Sequence, residues 1–459
     1  MKNIAVILAG GIGSRFGSSM PKQFVKIAGK CIIEHTLEKF QAHELIDEIC
    51  VVAKEGFEEE ISRIVLEGAF GKVKKIIIGG SERKDSSEAA ISALSTKDYS
   101  DECNVIFHDA VRPFVTARII GECLSHLNHY NAVDVAIPAT DTIIEVDDGY
   151  ITAIPDRSRL MQGQTPQGFK LKTIREAYRL ANLDENFKVS CDCGVVKKFL
   201  PNEKIGVVLG HSSNIKITNA EDIFLADKLF QLASENKNYL RNDDYYAQGL
   251  KSKVVVIFGG SYGIGEEIAK KCEGFGAKIY SLSRSVTGTH VESMSDVESA
   301  LSSINDQEGR IDFVINCAGL LSKQPLNHMS QREILELINV NYVGTVNVAK
   351  AAFPYLKESR GQLVLFTSSS YTRGRANYAI YSSSKSAIVN LSQALAEEWT
   401  VDGIRVNCVN PQRTKTPMRT RNFGAEPEES LLKASDVASA TINVLLEQFT
   451  GQVIDVKLK

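Results

Sequence analysis

The sequence predicts two doubly wound, three-layer α/β/α domains in tandem. The chain has 459 residues, enough for two domains of roughly 200 residues that each bury a core. Two apolar runs, Ile4–Leu8 and Val254–Phe258, show no alternation and end in glycines. A strand buried on both faces of a parallel sheet reads this way, and a glycine turn after it aims the next helix's N-terminus at a phosphate. Between the halves lies a polar stretch, SENKNYLRNDDYYAQGLKSK. The expected organisation is a first domain over 1–233, a linker over 234–252 and a second domain over 253–459. No internal repeat relates the halves beyond their shared opening of strand and glycine turn.

Composition narrows the function. A net charge of -3 and a pI near 6.3 argue against a nucleic-acid or anionic-membrane surface, while leaving room for phosphorylated small molecules. Nine cysteines, an odd number without metal-ligand spacing, read as reduced thiols of a cytoplasmic protein; Cys191 and Cys193 stand too close for a zinc knuckle. No run of 18 apolar residues and no signal-type segment is found, so neither export nor membrane insertion is expected.

In the first half, Ile4–Leu8 leads into Ala9-Gly10-Gly11-Ile12-Gly13-Ser14-Arg15-Phe16-Gly17, followed by Pro21-Lys22-Gln23-Phe24. Backbone N–H groups freed by such glycines can wrap a triphosphate, with Arg15 and Lys22 to meet its charge. Further segments follow: Gly79-Gly80-Ser81-Glu82-Arg83 with Ser86, His108-Asp109-Ala110-Val111-Arg112-Pro113, Asp141-Thr142, Asp156-Arg157, Thr165-Pro166-Gln167-Gly168-Phe169 and Asn214-Ile215-Lys216-Ile217-Thr218. Together they resemble the cytidylyltransferases that make CDP-alcohols from CTP and a sugar-alcohol phosphate, among them the 2-C-methylerythritol 4-phosphate and ribitol 5-phosphate enzymes.

That resemblance implies CTP binding by Leu8, Ala9, Gly10, Gly11, Gly13, Gly80, Arg83 and Ser86, and acceptor binding by Asp109, Arg112, Thr142 and Arg157. It implies Arg15, Lys22 and Lys216 as the catalytic cations and Asp109 as a ligand to Mg²⁺; a structural aspartate capping the next segment is the competing reading of Asp109. The chemistry agrees, because attack of a phosphate oxygen on the α-phosphorus spreads negative charge that fixed cations and a metal stabilise. One departure leaves the acceptor open: Gly194 and Lys197 stand after Asp192 where serine and glutamate are commoner in the family.

Helical spacing over Ala220–Leu232 precedes the polar stretch, whose tyrosines at 239, 245 and 246 suggest packing on one domain.

The second half opens on Gly259-x3-Gly263-Ile264-Gly265, a departure from G-x-G-x-x-G. Asn316-Cys317-Ala318-Gly319, Asn341, Ser368, Tyr381-x3-Lys385 and Val409-Asn410-Pro411 then follow in order. This series is similar to the short-chain dehydrogenase/reductase family. The resemblance implies an NADP-binding set of Gly259, Ser261, Gly263, Ile264, Gly265, Arg284, Asn316, Ala318 and Gly319, and a catalytic set of Asn341, Ser368, Tyr381 and Lys385.

Tyr381 and Lys385 are i and i+4, hence on one helix face, where an ammonium favours the phenolate. Lowering a tyrosine from about 10 to about 7 takes about 4 kcal/mol, which Lys385 and the positive nicotinamide ring are expected to supply. Tyr381 would give its proton to a carbonyl, Ser368 would hold that oxygen, and Asn341 would order water behind Lys385. Ser283-Arg284 stands after the second strand where NAD enzymes carry an acid, so NADPH is the expected cofactor. Arg373, Arg375, Arg413 and Lys415, with Arg419 and Arg421 nearby, suggest an anionic substrate such as a ketose phosphate.

The pairing resembles the bifunctional family that reduces ribulose 5-phosphate to ribitol 5-phosphate and joins it to CTP as CDP-ribitol, for capsule or teichoic-acid type polymers. Two alternatives stand beside it: a cytidylyltransferase for methylerythritol phosphate or another polyol phosphate fused to a reductase of different substrate, or a second half that only binds a dinucleotide. A homodimer or higher homo-oligomer is expected, with the arm near Thr142 to Gln167 as one contact.

Overall fold

The structure is a computed structural model that describes residues 1–11, 21–80, 82–184, 187, 189, 191–235 and 241–458. The chain divides into two compact units, Met1–Ala226 and Asp227–Lys459.

The first unit contains β1 (Asn3–Ala9), β2 (Lys26–Ile27), β3 (Lys30–Cys31), α1 (Ile32–Ala42), β4 (Glu48–Ala53), α2 (Glu58–Glu67), β5 (Val73–Ile78), α3 (Arg83–Leu94) and β6 (Asn104–Asp109). It continues through α4 (Ala117–His126), β7 (Ala132–Pro138), β8 (Glu145–Asp147), β9 (Tyr150–Ala153), β10 (Met161–Gly163), β11 (Gln167–Lys170), α5 (Leu171–Ala181), α6 (Asp192–Phe199) and β12 (Ile205–Leu209) into α7 (Glu221–Glu235), within which the units divide.

Its large sheet runs β10-β7-β11-β6-β1-β4-β5, with β12 on β7. β1 pairs in parallel with β4 and β6, whereas β11 runs antiparallel between β6 and β7. The apolar run of β1 explains its central place: Ile4 and Val6 enter one core, and Ala5, Ile7 and Ala9 the other. The chain winds from β1 out to β4 and β5, then returns to β6 on the opposite side. The crevice between the ends of β1 and β6 is therefore a topological switch point, where open α/β sheets bind ligands.

β8 and β9 form a separate hairpin turning at Asp148 and Gly149, both in the left-handed region. Ile144, Val146, Tyr150, Ile151 and Ile154 along it are exposed.

The second unit holds α8 (Asp243–Leu250), β13 (Val254–Phe258), α9 (Gly263–Gly274), β14 (Lys278–Leu282), α10 (Met294–Glu308), β15 (Phe313–Asn316), α11 (Gln331–Ile338) and α12 (Gly344–Ser359). β16 (Gln362–Phe366), α13 (Ala379–Glu398), β17 (Arg405–Pro411), α14 (Pro417–Phe423), α15 (Ala434–Leu446) and β18 (Val453–Val456) complete it. All six strands are parallel, in the order β14-β13-β15-β16-β17-β18. Again the first strand is buried on both faces, Val254, Val256 and Phe258 on one and Val255 and Ile257 on the other. The switch point lies between β13 and β15.

Much of the expected linker 234–252 is helical. Asn242 caps α8 by accepting from the Tyr245 N–H at 3.0 Å, and Tyr246 and Leu250 enter the second unit's core. The Tyr246 hydroxyl donates to Asn443 Oδ1 at 2.5 Å. Tyr239 lies outside the described residues. No described helix is long and apolar enough to cross a membrane.

The glycine turn after β13 tolerates no side chain at Gly265, where a Cβ would stand 2.3 Å from the carbonyl oxygen of Gly259. Gly265→Ala is expected to destabilise the second unit by about 1–3 kcal/mol. Urea unfolding followed by the chain's one tryptophan, Trp399, checks this; an unchanged midpoint would contradict it.

Candidate active sites

In the first unit, the ends of β1 and β5 and the start of α3 meet without room for side chains. A Cβ on Gly10 would lie 2.8 Å from Ser86 Oγ, one on Gly79 2.6 Å from the same atom, and one on Gly80 2.2 Å from Asp85 Cβ. Gln23 ties the PKQF segment to this turn by donating its amide to the Ala9 carbonyl at 2.7 Å. Leu8, Ala9, Gly10, Gly11, Gly80 and Ser86 thus surround one crevice end; Gly13, Arg15 and Ser81 lie outside the described residues. Lys22 is half-buried and acts on Asp222, which burial opposes but which Asn219, Thr218 and the Lys22 charge hold below the ordinary carboxylate range.

Beside the glycines lies a buried charge network. Arg83 reaches Asp109 Oδ1 at 2.8 Å and Asp192 Oδ2 at 2.7 Å. Asp192 is completely buried at the start of α6, and its other oxygen accepts from Ser87 Oγ and Tyr178 OH, each at 2.6 Å. Asp109, at the end of β6, also meets Arg112 at 3.2 Å and Lys216 at 3.1 Å. Burial alone would raise the Asp109 carboxyl, but Arg83, Lys216 and Arg112 hold it far below the usual carboxylate range. Three cations face two carboxylates, so the cluster carries excess positive charge suited to an anion.

His108 orders the strand end. Its Nε2 lies 3.1 Å from the Arg112 carbonyl, so that nitrogen carries the proton, and Nδ1 accepts from Thr165 Oγ1 at 2.9 Å. The same hydroxyl accepts from the Asp109 N–H at 3.2 Å. Burial lowers His108 to about 4, keeping it neutral.

Several expectations change here. Without a nucleotide, the oxygens of Asp109, expected on a metal, are engaged by Arg83, Arg112 and Lys216. Arg83 and Arg112, expected on nucleotide and acceptor, are largely internal: Arg112 also donates to the Asn214 carbonyl at 2.7 Å. Thr142 and Arg157 sit on the exposed arm, Arg157 donating to the Thr140 carbonyl at 2.8 Å, rather than in the Asp109 cluster. Asp192, Ser87 and Tyr178 are the residues that sequence reasoning gave no role; an aspartate opening α6 was the available signal.

In the second unit, a cavity of about 420 Å³ opens at the C-terminal ends of the parallel strands. Gly259 and Gly263 have φ of 76° and 66°, and a Cβ on Gly259 would stand 2.6 Å from the Ala318 nitrogen. Ser261, Ile264, Gly265 and Gly319 line the same cavity, and Ser261 Oγ is buried without a hydrogen-bond partner. A side-chain-free cradle with an unmet hydroxyl fits the pyrophosphate of a dinucleotide. Arg284 lines the cavity from the end of β14 and stands 3.7 Å from Glu336. Asn316 works from behind: its amide donates to Thr345 at 3.1 Å and its oxygen accepts from the Ala318 N–H at 3.1 Å.

Ser368, Tyr381 and Lys385 line one end together. Lys385 Nζ is 5.9 Å from the Tyr381 ring centre and donates to the Phe366 carbonyl at 3.0 Å. Burial lowers Lys385 to about 8. Tyr381 departs from expectation: burial raises the phenol, against the smaller lowering from the Ser368 hydrogen bond and the Arg419 charge. Lys385 is turned to Phe366, and the nicotinamide ring that the expectation also invoked belongs to the bound cofactor.

Asn341 lies in a π-helical turn and exchanges both amide bonds with Leu320, donating at 2.9 Å and accepting at 2.7 Å, so it fixes the loop after β15. Arg375 and Arg413 line the cavity; Arg373 and Lys415 do not, Arg373 being exposed and Lys415 paired with Glu428.

These two folds and sites define a nucleotidyltransferase followed by a short-chain dehydrogenase. A family model for 2-C-methyl-D-erythritol 4-phosphate cytidylyltransferase matches residues 3–231, and one for short chain dehydrogenase matches 253–427. The chain is 50% identical over 462 residues to the bifunctional ribulose 5-phosphate reductase/CDP-ribitol pyrophosphorylase of Haemophilus influenzae, covering 100% of this chain and 96% of that protein. The first half is 41% identical to the 2-C-methyl-D-erythritol 4-phosphate cytidylyltransferase of Thermobifida fusca (50% of this chain, 92% of that one). It is 34% identical to the ribitol-5-phosphate cytidylyltransferase of Lactiplantibacillus plantarum (50% of this chain, 99% of that one). The chain belongs to the family of bifunctional ribulose 5-phosphate reductase/CDP-ribitol pyrophosphorylases.

Buried neutral histidines make the first unit acid-sensitive. His108 and His35 both fall from 6.5 to about 4 on burial. Between these values the unfolded chain binds more protons than the folded one, so stability is full above pH 6.5 and is lost as pH drops. Each histidine is expected to cost roughly 2 kcal/mol by pH 5. Amide exchange along β1 and β6 at pH 7 and pH 5, corrected for intrinsic rates, checks this; equal protection would contradict it.

Proposed function

We propose that the chain reduces D-ribulose 5-phosphate to D-ribitol 5-phosphate with NADPH, and transfers CMP from CTP to that product, giving CDP-ribitol and pyrophosphate. The observation that carries this reading is the full-length relative at 50% identity, named for both activities. The geometry supports it with one anion-seeking crevice and one dinucleotide cradle beside a phenol and an ammonium.

For the reductase, Gly259, Ser261, Gly263 and Ala318 would hold the dinucleotide, and the Arg284 cation would meet the 2′-phosphate that distinguishes NADPH. The bound nicotinamide supplies the hydride for the ketone carbon. Tyr381 gives its proton to the ketone oxygen, and Ser368, hydrogen-bonded to the phenol, orients that oxygen. Lys385, at about 8, remains largely protonated at neutral pH and favours the phenolate left behind.

For the transferase, the β1 turn and Ser86 would face CTP, while Lys22, Lys216 and Arg15 supply charge against the phosphates. The exposed apolar arm supports a homodimer in which a second copy covers it. A polymer of the capsule or teichoic-acid type would consume the product.

A second reading of the first half has its own support in the 41% identity to a methylerythritol 4-phosphate enzyme. Pyrophosphate release from CTP with each acceptor separates the two; preference for ribitol 5-phosphate is expected. Tyr381→Phe is expected to slow NADPH oxidation by about 10²–10⁴-fold while pyrophosphate release from CTP and ribitol 5-phosphate is unchanged. NADPH absorbance and a coupled pyrophosphate assay read the two; undiminished oxidation would remove Tyr381 as the acid.

A further inference from the structure

Five arginines line the second unit's cavity: Arg284, Arg375, Arg413, Arg419 and Arg421. Four are exposed and one, Arg419 on α14, is half-buried. Its guanidinium is held in a fork, Nε to Glu426 Oε2 at 2.7 Å and Nη2 to Glu426 Oε1 at 2.8 Å. It also lies 4.1 Å from the ring centre of Phe423, which Lys323 approaches at 4.7 Å. Phe423 in turn packs edge-on against Tyr378, and Tyr378 against Tyr381, with ring centres 6.3 Å apart in both pairs.

Glu426 does not line the cavity, whereas Arg419 does. The carboxylate therefore grips the guanidinium from outside, and the edge that its fork leaves, Nη1, is the one available for a ligand. The Arg419 charge lowers the Tyr381 phenol, so it acts within electrostatic reach of the reacting end of the site.

We infer that Arg419, pre-set by Glu426 and Phe423, is the residue that reads the substrate's phosphate in the reductase site. The inference rests on the ketose-phosphate reading and deepens it. In such a substrate the ketone and the phosphate are the two ends of a short chain, and Arg419 is the fixed cation near the Tyr381 end of the cavity. A guanidinium already locked by a carboxylate and a ring loses little freedom on binding, which favours it over the exposed arginines. Glu426 and Phe423 are positioning residues.

The test compares ribulose 5-phosphate with unphosphorylated ribulose in NADPH oxidation, with Trp399 emission as the control for folding. Arg419→Met is expected to lower the ratio of kcat/KM for the phosphorylated over the plain ketose by about 10- to 100-fold, and Arg419→Lys by less. Glu426→Gln is expected to raise KM for ribulose 5-phosphate severalfold with kcat unchanged. An unaltered ratio in Arg419→Met overturns the inference, as does an equal loss with both ketoses. Should the unaltered chain oxidise no NADPH with either ketose, the ketose assignment fails by itself. The inference is then read by titrating the NADPH complex with inorganic phosphate: Arg419→Met binding at least about tenfold more weakly supports it, and equal affinity overturns it.

Discussion

In both units everything turns on backbone that must pass without a side chain at the end of the first strand. At Gly10 a methyl group would press into Ser86, and at Gly259 into the backbone of Ala318. Each contact draws together two segments far apart in sequence at a switch point of the sheet. Bare N–H groups and helix starts then line a crevice whose walls are already rigid, because the strand behind it is buried on both faces.

Charge is built onto that frame differently in the two units. The first uses buried acids to hold its cations: Asp192, satisfied by Ser87 and Tyr178, fixes Arg83, and Arg83 with Arg112 and Lys216 surrounds Asp109. Removing Asp109 would strip the half-buried Arg112 of its carboxylate, a change that costs far more than losing an exposed pair. The second unit keeps its reacting groups in apolar surroundings, so burial pulls Lys385 down and pushes Tyr381 up. A phenol that burial keeps protonated suits proton donation; a ring of full charges suits phosphate chemistry.

What was legible in the sequence was local. Unbroken apolar runs marked β1 and β13, and spacing of four placed Tyr381 and Lys385 on one face of α13. What was not legible depended on distant partners. Nothing near Arg83 shows that Asp192, 109 residues away, pairs with it. Lys415 looked like a substrate cation until Glu428 took it, while Arg419, noted nearby, turned out to be the arginine held half-buried in the cavity. The polar stretch after α7 concealed α8, since two buried positions, Tyr246 and Leu250, suffice to dock a helix of eight residues.

The central claim is that one chain carries two sites in sequence, the alcohol made by the second unit being the acceptor used by the first. It is tested most directly by incubating the protein with ribulose 5-phosphate, NADPH and CTP with pyrophosphatase, and measuring NADP⁺ and the CDP-linked product over time. Equal amounts of NADP⁺ and CDP-ribitol are the predicted result. NADPH oxidation without any CMP-linked product, or CMP transfer only to an acceptor that the reductase does not make, would contradict it.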